Sequence, residues 1–200
     1  MITISPRVSR QVARLTTDIL APANLVIAGL PLVGLAARPP LAGFLWGCLA
    51  AIFAGVIPLT IILLGVRRGQ LSDIHIVDRE QRHIPLLASI LSVALGLVLL
   101  YVLPAAGEVR ALTVAMLAGL VATAAVTRVW KVSIHTAVAT GFAVVYGTTF
   151  GVLGWLAVLP AAAIAWSRVR LGDHTLTQVL GGALLGAIVT ATVYTSLLGR

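Results

Sequence analysis

The chain has 200 residues, of which 60% are apolar and only 10% are charged. A soluble domain carries about 25% charged residues, so this composition excludes a water-facing globular surface, a disordered chain and a coiled coil. The single cysteine, Cys48, lies in an apolar run and excludes an intrachain disulfide framework. The composition therefore predicts an all-α integral membrane protein. Its net charge of +8 then indicates cytoplasmic loops and anionic head groups rather than nucleic acid.

Residues 1–18 have the pattern of an amphipathic helix. Arg7, Arg10 and Arg14 recur at helical spacing on one face, and apolar side chains occupy the other. This pattern predicts a helix that lies at the membrane surface. Asp18 precedes the first apolar run, which is atypical of a cleaved signal peptide. We therefore divide the chain into an N-terminal segment, residues 1–18, and a single transmembrane domain, residues 19–200.

Apolar stretches of about 20 residues, which match about 30 Å of hydrocarbon, follow in chain order. They are Ile19–Ala37, Leu41–Leu64, Pro85–Ala106, Ala111–Thr127 and Thr175–Leu198. Residues Thr136–Ser167 are also apolar, but Gly151 and Gly154 near their middle predict two short helices that fold out and back. The expected fold is a bundle of six to seven transmembrane helices with an N-terminal interfacial helix.

Three polar segments, residues 67–83, 128–135 and 168–174, are predicted to lie on the same side of the membrane as the N-terminus. That side carries Arg7, Arg10, Arg14, Arg67, Arg68, Arg79, Arg82, Arg128, Lys131, Arg168 and Arg170, whereas the other carries Arg38, Arg110 and Arg200. Because positive charge accumulates on the cytoplasmic side, we expect these segments to face the cytoplasm from the cell membrane.

The three polar segments contain every histidine of the chain: His75, His83, His135 and His174. Ionisable groups at membrane depth are expensive and are typical of a functional site. The histidines and acids lack the spacing of a metal site, and the surrounding arginines would repel a cation, so no metal or other cofactor is expected. Arginine forks beside histidines favour an anion such as phosphate.

The third polar segment carries the most informative spacing. Ser167-Arg168 is followed by five residues, His174, three residues and Gln178. If a helix begins at Thr175, Gln178 lies one turn from His174 and accepts a hydrogen bond from one imidazole nitrogen. The other ring nitrogen is then free to attack a substrate.

This spacing resembles the third signature of the type 2 phosphatidic acid phosphatase superfamily, which contains membrane lipid phosphatases and vanadium haloperoxidases. Val132-Ser133-Ile134-His135 resembles its second signature, Pro-Ser-Gly-His. His75, six residues and Arg82-His83 resemble its first signature, Lys, six residues and Arg-Pro. The resemblance covers residues 67 to about 186.

The resemblance implies an integral membrane phosphatase that hydrolyses a lipid phosphate or diphosphate of the isoprenoid or phosphatidic acid type, without a metal. His174 would be the nucleophile that forms a phosphohistidine, Gln178 would orient it, and His135 would protonate the leaving alcohol. The phosphate oxygens would be held by His75, Arg82, Ser133 and Arg168. The implied partners are a lipid phosphate and the bilayer.

The signatures depart from the family pattern at five positions, two of which are Val132 and His83 in place of Pro. Gln178 stands in place of Asp, Ile134 in place of Gly, and His75 in place of Lys. Two alternatives therefore stay open: a lipid-phosphate binder or carrier that does not hydrolyse its ligand, and an enzyme that processes isoprenyl diphosphates. The lack of an Asp-rich metal motif argues against the second alternative.

Three patterns of small residues predict close helix packing, either within the chain or in a homodimer. Each pattern has two glycines four positions apart. They are Gly43–Gly47, Gly147–Gly151 and Gly182–Gly186.

Overall fold

The structure, a computed structural model, describes residues 5–199. The protein is 83% helical, and the described range contains no strand, which confirms the all-α prediction. The described α-helices, in chain order, are α1 (Pro6–Ile19), α2 (Pro22–Gly34), α3 (Pro40–Ala51), α4 (Ile57–Arg67), α5 (His83–Val102), α6 (Gly107–Val129), α7 (Ile134–Phe150), α8 (Val158–Arg170) and α9 (Leu176–Leu198).

Prolines set where the early helices begin. Pro6, Pro22 and Pro40 each occupy the first position of a helix, where the missing N–H has no intrahelical partner to lose. A π-helical turn, Ile52–Val56, joins α3 to α4 without a break. The helix therefore continues over Pro40–Arg67.

Five helical segments within residues 5–199 are long and apolar enough to cross a membrane: Pro40–Arg67, Glu80–Val102, Gly107–Val129, Ile134–Arg170 and Leu176–Leu198. A sixth arises if α1 and α2, bent by 47°, form one broken span. The structure thus confirms a multispan helical protein. The total of six to seven spans, and the position of α1 at the membrane surface, stay predictions.

The segment Ile134–Arg170 folds out and back as expected. The turn begins at Gly151, whose φ of 68° favours glycine, and continues as a 3-10 helix to Ala157. Helix α8 then returns along α7, so that Ala139 packs with Ile164. A Cβ at Gly154 would collide with the carbonyl oxygen of Tyr146, which shows how closely the turn packs against the end of α7.

This hairpin returns the end of α8 to the start of α7. Two hydrogen bonds then connect the residues just before α7 to the other two polar parts of the chain. Arg82 Nη1 donates to the Val132 carbonyl at 2.9 Å. The Ser133 N–H donates to the Gln178 carbonyl at 3.2 Å. The three polar segments therefore meet at one end of the bundle, as the alternation of apolar and polar stretches predicts.

The small-residue patterns serve packing within the chain. A Cβ at Gly43 would collide with the Gly34 carbonyl oxygen of α2. At Gly182 and Gly186 it would collide with carbonyl oxygens of Ser133 and Ala137 at the start of α7. Because these helix faces already pack against neighbouring helices of the same chain, the patterns give no separate support for a homodimer.

Candidate anion site at the helix ends

Arg168, in the last turn of α8, has a buried guanidinium whose N–H groups lack hydrogen-bond acceptors among the described residues. Its side chain is 1% exposed, and none of its three guanidinium nitrogens has a hydrogen-bond partner among residues 5–199. Asp173 Oδ2 lies 3.0 Å from Nη1 as an ion pair, although the pair lacks hydrogen-bond geometry. Buried donors without acceptors are costly and rare, so this guanidinium is suited to an anion that arrives with its own oxygens.

Arg82 is equally buried but is held by backbone carbonyls. Its Nε donates to Ile76 at 2.8 Å, and its two terminal nitrogens donate to Val132 at 2.9 Å and to Val77 at 3.4 Å. Arg82 therefore ties the loop before α5 to the loop before α7. A guanidinium has five N–H groups, so two still remain for an anion.

His135 and Ser133 lie at the start of α7. The Nε2 atom of His135 is buried without a partner among the described residues, and the positive charges of Arg168 and Arg82 reach this ring. Ser133 caps the helix, since its Oγ accepts the Thr136 N–H at 3.4 Å. Because its own N–H is bonded to Gln178, only its hydroxyl hydrogen is left to donate to a phosphate oxygen.

Gln178 fixes the tautomer of His174. Its Oε1 lies 3.2 Å from His174 Nδ1 and also accepts the Thr175 N–H at 3.1 Å, which identifies the amide atom facing both groups as oxygen. A carbonyl oxygen only accepts, so Nδ1 carries the hydrogen and Nε2 keeps its lone pair. The contact arises because Thr175 caps α9 and puts Gln178 in its first turn.

The surroundings keep His174 neutral. Burial lowers the pKa of His174 from 6.5 to about 3, helped by the positive charges of Arg82, Arg168 and Lys131 and opposed by the hydrogen bond to Gln178. At neutral pH the imidazole is therefore uncharged, and its Nε2 lone pair is available for attack. The same positive charges that disfavour the imidazolium favour a phosphate anion.

Lys131 is a site residue that the motif spacing did not single out. It directly precedes the second signature and is half-buried. Burial, followed by the charge of Arg82, lowers the pKa of Lys131, whereas Asp173 opposes that shift. The sequence analysis includes Lys131 only among the basic residues of the cytoplasmic side. Its position next to Val132 is the feature that could have indicated a place near the site.

The first polar segment reaches the same cluster through His75. Its ring stacks edge-on against His135, with 5.2 Å between ring centroids. Its Nε2 lies 2.9 Å from Asp18 Oδ1 at the end of α1. No sequence pattern indicates that Asp18 and His75 lie together in the fold. By contrast, His83 is exposed to solvent.

An apolar cavity of about 230 Å³ opens beside the cluster. His75, Arg82 and His135 are among its polar lining residues, whereas Arg168 and His174 do not line it. The cavity follows α6 from Thr123 to Leu112, which is roughly 16 Å at 1.5 Å per residue. Its length and apolar lining suit a lipid tail.

No group of three or more histidine, cysteine, aspartate and glutamate side chains is arranged to hold a metal ion within residues 5–199. The ionisable side chains that do converge are mainly arginine, lysine and histidine. Such donors bind the oxygens of an anion.

The structure thus combines apolar helices of membrane-spanning length with a buried arginine–histidine cluster, a candidate anion site, at the helix ends. The family model described as PAP2 superfamily matches residues 131–200, which contain the second and third signatures. This match confirms the resemblance to the type 2 phosphatidic acid phosphatase superfamily; residues 75–83 lie outside it. Comparisons with curated proteins and with solved structures returned no match. That superfamily includes membrane lipid phosphatases.

Proposed function

We propose that the protein is a metal-independent membrane phosphatase that acts on a lipid phosphate or diphosphate through a phosphohistidine at His174. The observation that carries this proposal is the buried Arg168 guanidinium, which lacks hydrogen-bond partners within residues 5–199 and whose charge reaches His174. The site thus combines guanidinium N–H groups that lack acceptors with a neutral imidazole whose Nε2 lone pair is free.

In the proposed reaction, Arg168 and the remaining N–H groups of Arg82 bind the phosphate oxygens. The lone pair of His174 Nε2 attacks phosphorus, and the bond from phosphorus to the leaving oxygen breaks with its electron pair. The negative charge of the bound phosphate favours protonation of His135, which then gives its proton to that oxygen. Water then attacks the phosphohistidine and transfers a proton to His135, which releases orthophosphate and restores His174.

The direct test is phosphate release by the purified full-length protein in the presence of EDTA. We expect hydrolysis of a lipid phosphate or diphosphate at an unchanged rate, because arginine supplies the charge stabilisation. Loss of activity in EDTA with recovery on adding Mg²⁺ would contradict metal independence. For the variants tested below, Ser196→Ala near the opposite end of α9 serves as a control substitution away from the site.

We also propose that the apolar cavity holds the lipid tail, and Gly119 offers a clean way to test this. Gly119 lines the cavity, and a Cβ there meets no atom within 4 Å. Gly119→Leu should therefore fill the cavity without disturbing α6. We expect KM for a long-chain lipid phosphate to rise about tenfold, since several buried methylene contacts are lost, while hydrolysis of a soluble aryl phosphate is unchanged.

The control for this prediction is Val121→Leu on the same helix. Val121 is 51% exposed on the outer surface, so its enlargement leaves the cavity open. Equal effects of Gly119→Leu on the lipid and the aryl substrate would show that the cavity does not hold the tail.

A second candidate function, binding or carrying a lipid phosphate without hydrolysis, is favoured by Gln178. A neutral amide orients His174 but does not balance the positive charge that develops on the imidazole during attack. A comparable replacement of Asp by Asn in a serine protease triad lowers kcat by about 10⁴. Tight phosphate binding without release of orthophosphate from any lipid phosphate would favour this function.

We propose that the site faces the cytoplasm from the cell membrane. The polar segments at the site end carry most of the basic residues, and positive charge accumulates on the cytoplasmic side. The phosphate group of the substrate would then enter from the cytoplasmic leaflet.

A further inference from the structure

His75 occupies the position at which the resembled first signature has a lysine, so its charge matters to any anion at this site. Asp18 Oδ1 lies 2.9 Å from its Nε2, and a carboxylate accepts hydrogen bonds. The Nε2 atom of His75 therefore carries a hydrogen. Among residues 5–199, the Nδ1 atom of His75 has no hydrogen-bond partner.

Asp18 is fixed in place by the packing of α1 on the end of α8. The neighbouring Thr17 hydroxyl is buried and bonds to the Ser167 hydroxyl at 2.9 Å. Arg170 Nε donates to the Ser9 hydroxyl at 2.9 Å, and Arg170 Nη2 donates to the Pro6 carbonyl at 3.1 Å. The N-terminal helix is thus attached next to Arg168 and Ser167 of the third signature.

The charges around His75 come from every neighbouring element. Asp18 faces it from α1, and His135 faces it from α7. In its own loop, Asp73 accepts the backbone N–H of His75 at 2.7 Å, so this carboxylate is bonded to the main chain. Arg82, which lines the same cavity, and Arg168 contribute positive charge to the cluster.

We infer that Asp18 is a positioning residue that holds His75 as a cationic phosphate ligand. In this arrangement Asp18 accepts the Nε2–H, and the protonated ring turns its Nδ1–H to a phosphate oxygen. The carboxylate balances the imidazolium charge that the arginines oppose. A histidine with a carboxylate partner thereby takes the place of a permanently charged lysine. The inference rests on the proposed function only in taking phosphate as the ligand.

The test measures the affinity of the purified full-length protein for inorganic orthophosphate by calorimetry between pH 5 and pH 8, where histidines change charge. Asp18→Asn keeps an oxygen that can accept from Nε2–H but removes the negative charge. We expect about tenfold weaker binding at pH 7, which is a typical effect of losing one charge-assisted interaction, and a smaller loss at pH 5.

The matched variant is His75→Lys, which supplies a permanent cation. We expect its phosphate affinity to be insensitive to Asp18→Asn, so the double variant should bind as well as His75→Lys alone. Comparison with His75→Lys at each pH also removes the titration of orthophosphate itself. A purely structural role of Asp18 would not be rescued in this way.

Equal affinities of wild type and Asp18→Asn across the pH range would overturn the inference, and so would a double variant that binds as weakly as Asp18→Asn. Failure of the wild type to bind orthophosphate would overturn both this inference and the proposed function. If the wild type binds with the expected pattern but hydrolyses no lipid phosphate, only the phosphatase function fails.

Discussion

His174→Ala is expected to abolish turnover, with a fall in kcat of at least about 10³-fold, because it removes the proposed nucleophile. Binding of orthophosphate should survive, since Arg168 and Arg82 are unchanged. Single-turnover phosphate release and calorimetric phosphate binding measure the two effects separately. Trapping of labelled phosphate on wild-type protein, but not on the variant, would identify the covalent intermediate.

The matched control for this prediction is His83→Ala. His83 begins α5 next to Arg82, but its side chain is exposed to solvent. We expect this variant to retain nearly full activity. Substantial hydrolysis by His174→Ala, or an equal loss in both histidine variants, would remove the phosphohistidine mechanism.

Arg168→Met is expected to weaken phosphate binding without lowering the thermal stability of the protein. The Arg168 guanidinium has no hydrogen-bond partner within residues 5–199, so removal of the charge costs the folded protein only the ion pair with Asp173. The Asp173 side chain is 22% exposed and stays solvated without its partner, whereas methionine removes the desolvation cost of burying a guanidinium. We therefore expect thermal stability in detergent to be unchanged or raised, while phosphate affinity falls about 10²-fold or more.

Arg82→Met provides the opposite case. It leaves three backbone carbonyls without their donor, and each unsatisfied buried group costs about 1–3 kcal/mol. We expect this variant to unfold at a clearly lower temperature than wild type. If Arg168→Met proves as unstable as Arg82→Met, then Arg168 serves mainly to hold the fold together.

Several features of this protein follow from local rules that a sequence exposes directly. Apolar runs of membrane length dictate helices, because backbone polar groups in lipid must bond within their own segment. The alternation of these runs with short polar segments then brings those segments to one end. The contact between His174 and Gln178 also follows locally, since Thr175 is a good helix cap and the two side chains lie one turn apart.

The features that distinguish the site depend on contacts between distant parts of the chain. Arg82 and Arg168 look equivalent in their signatures, yet backbone carbonyls satisfy one and leave the other with only an ion pair. Likewise, Asp18 meets His75 only because α1 packs on α8. Sequence spacing encodes which residues share a helix face. Which buried donors find acceptors, and where an apolar cavity remains, is decided by how the helices pack against one another.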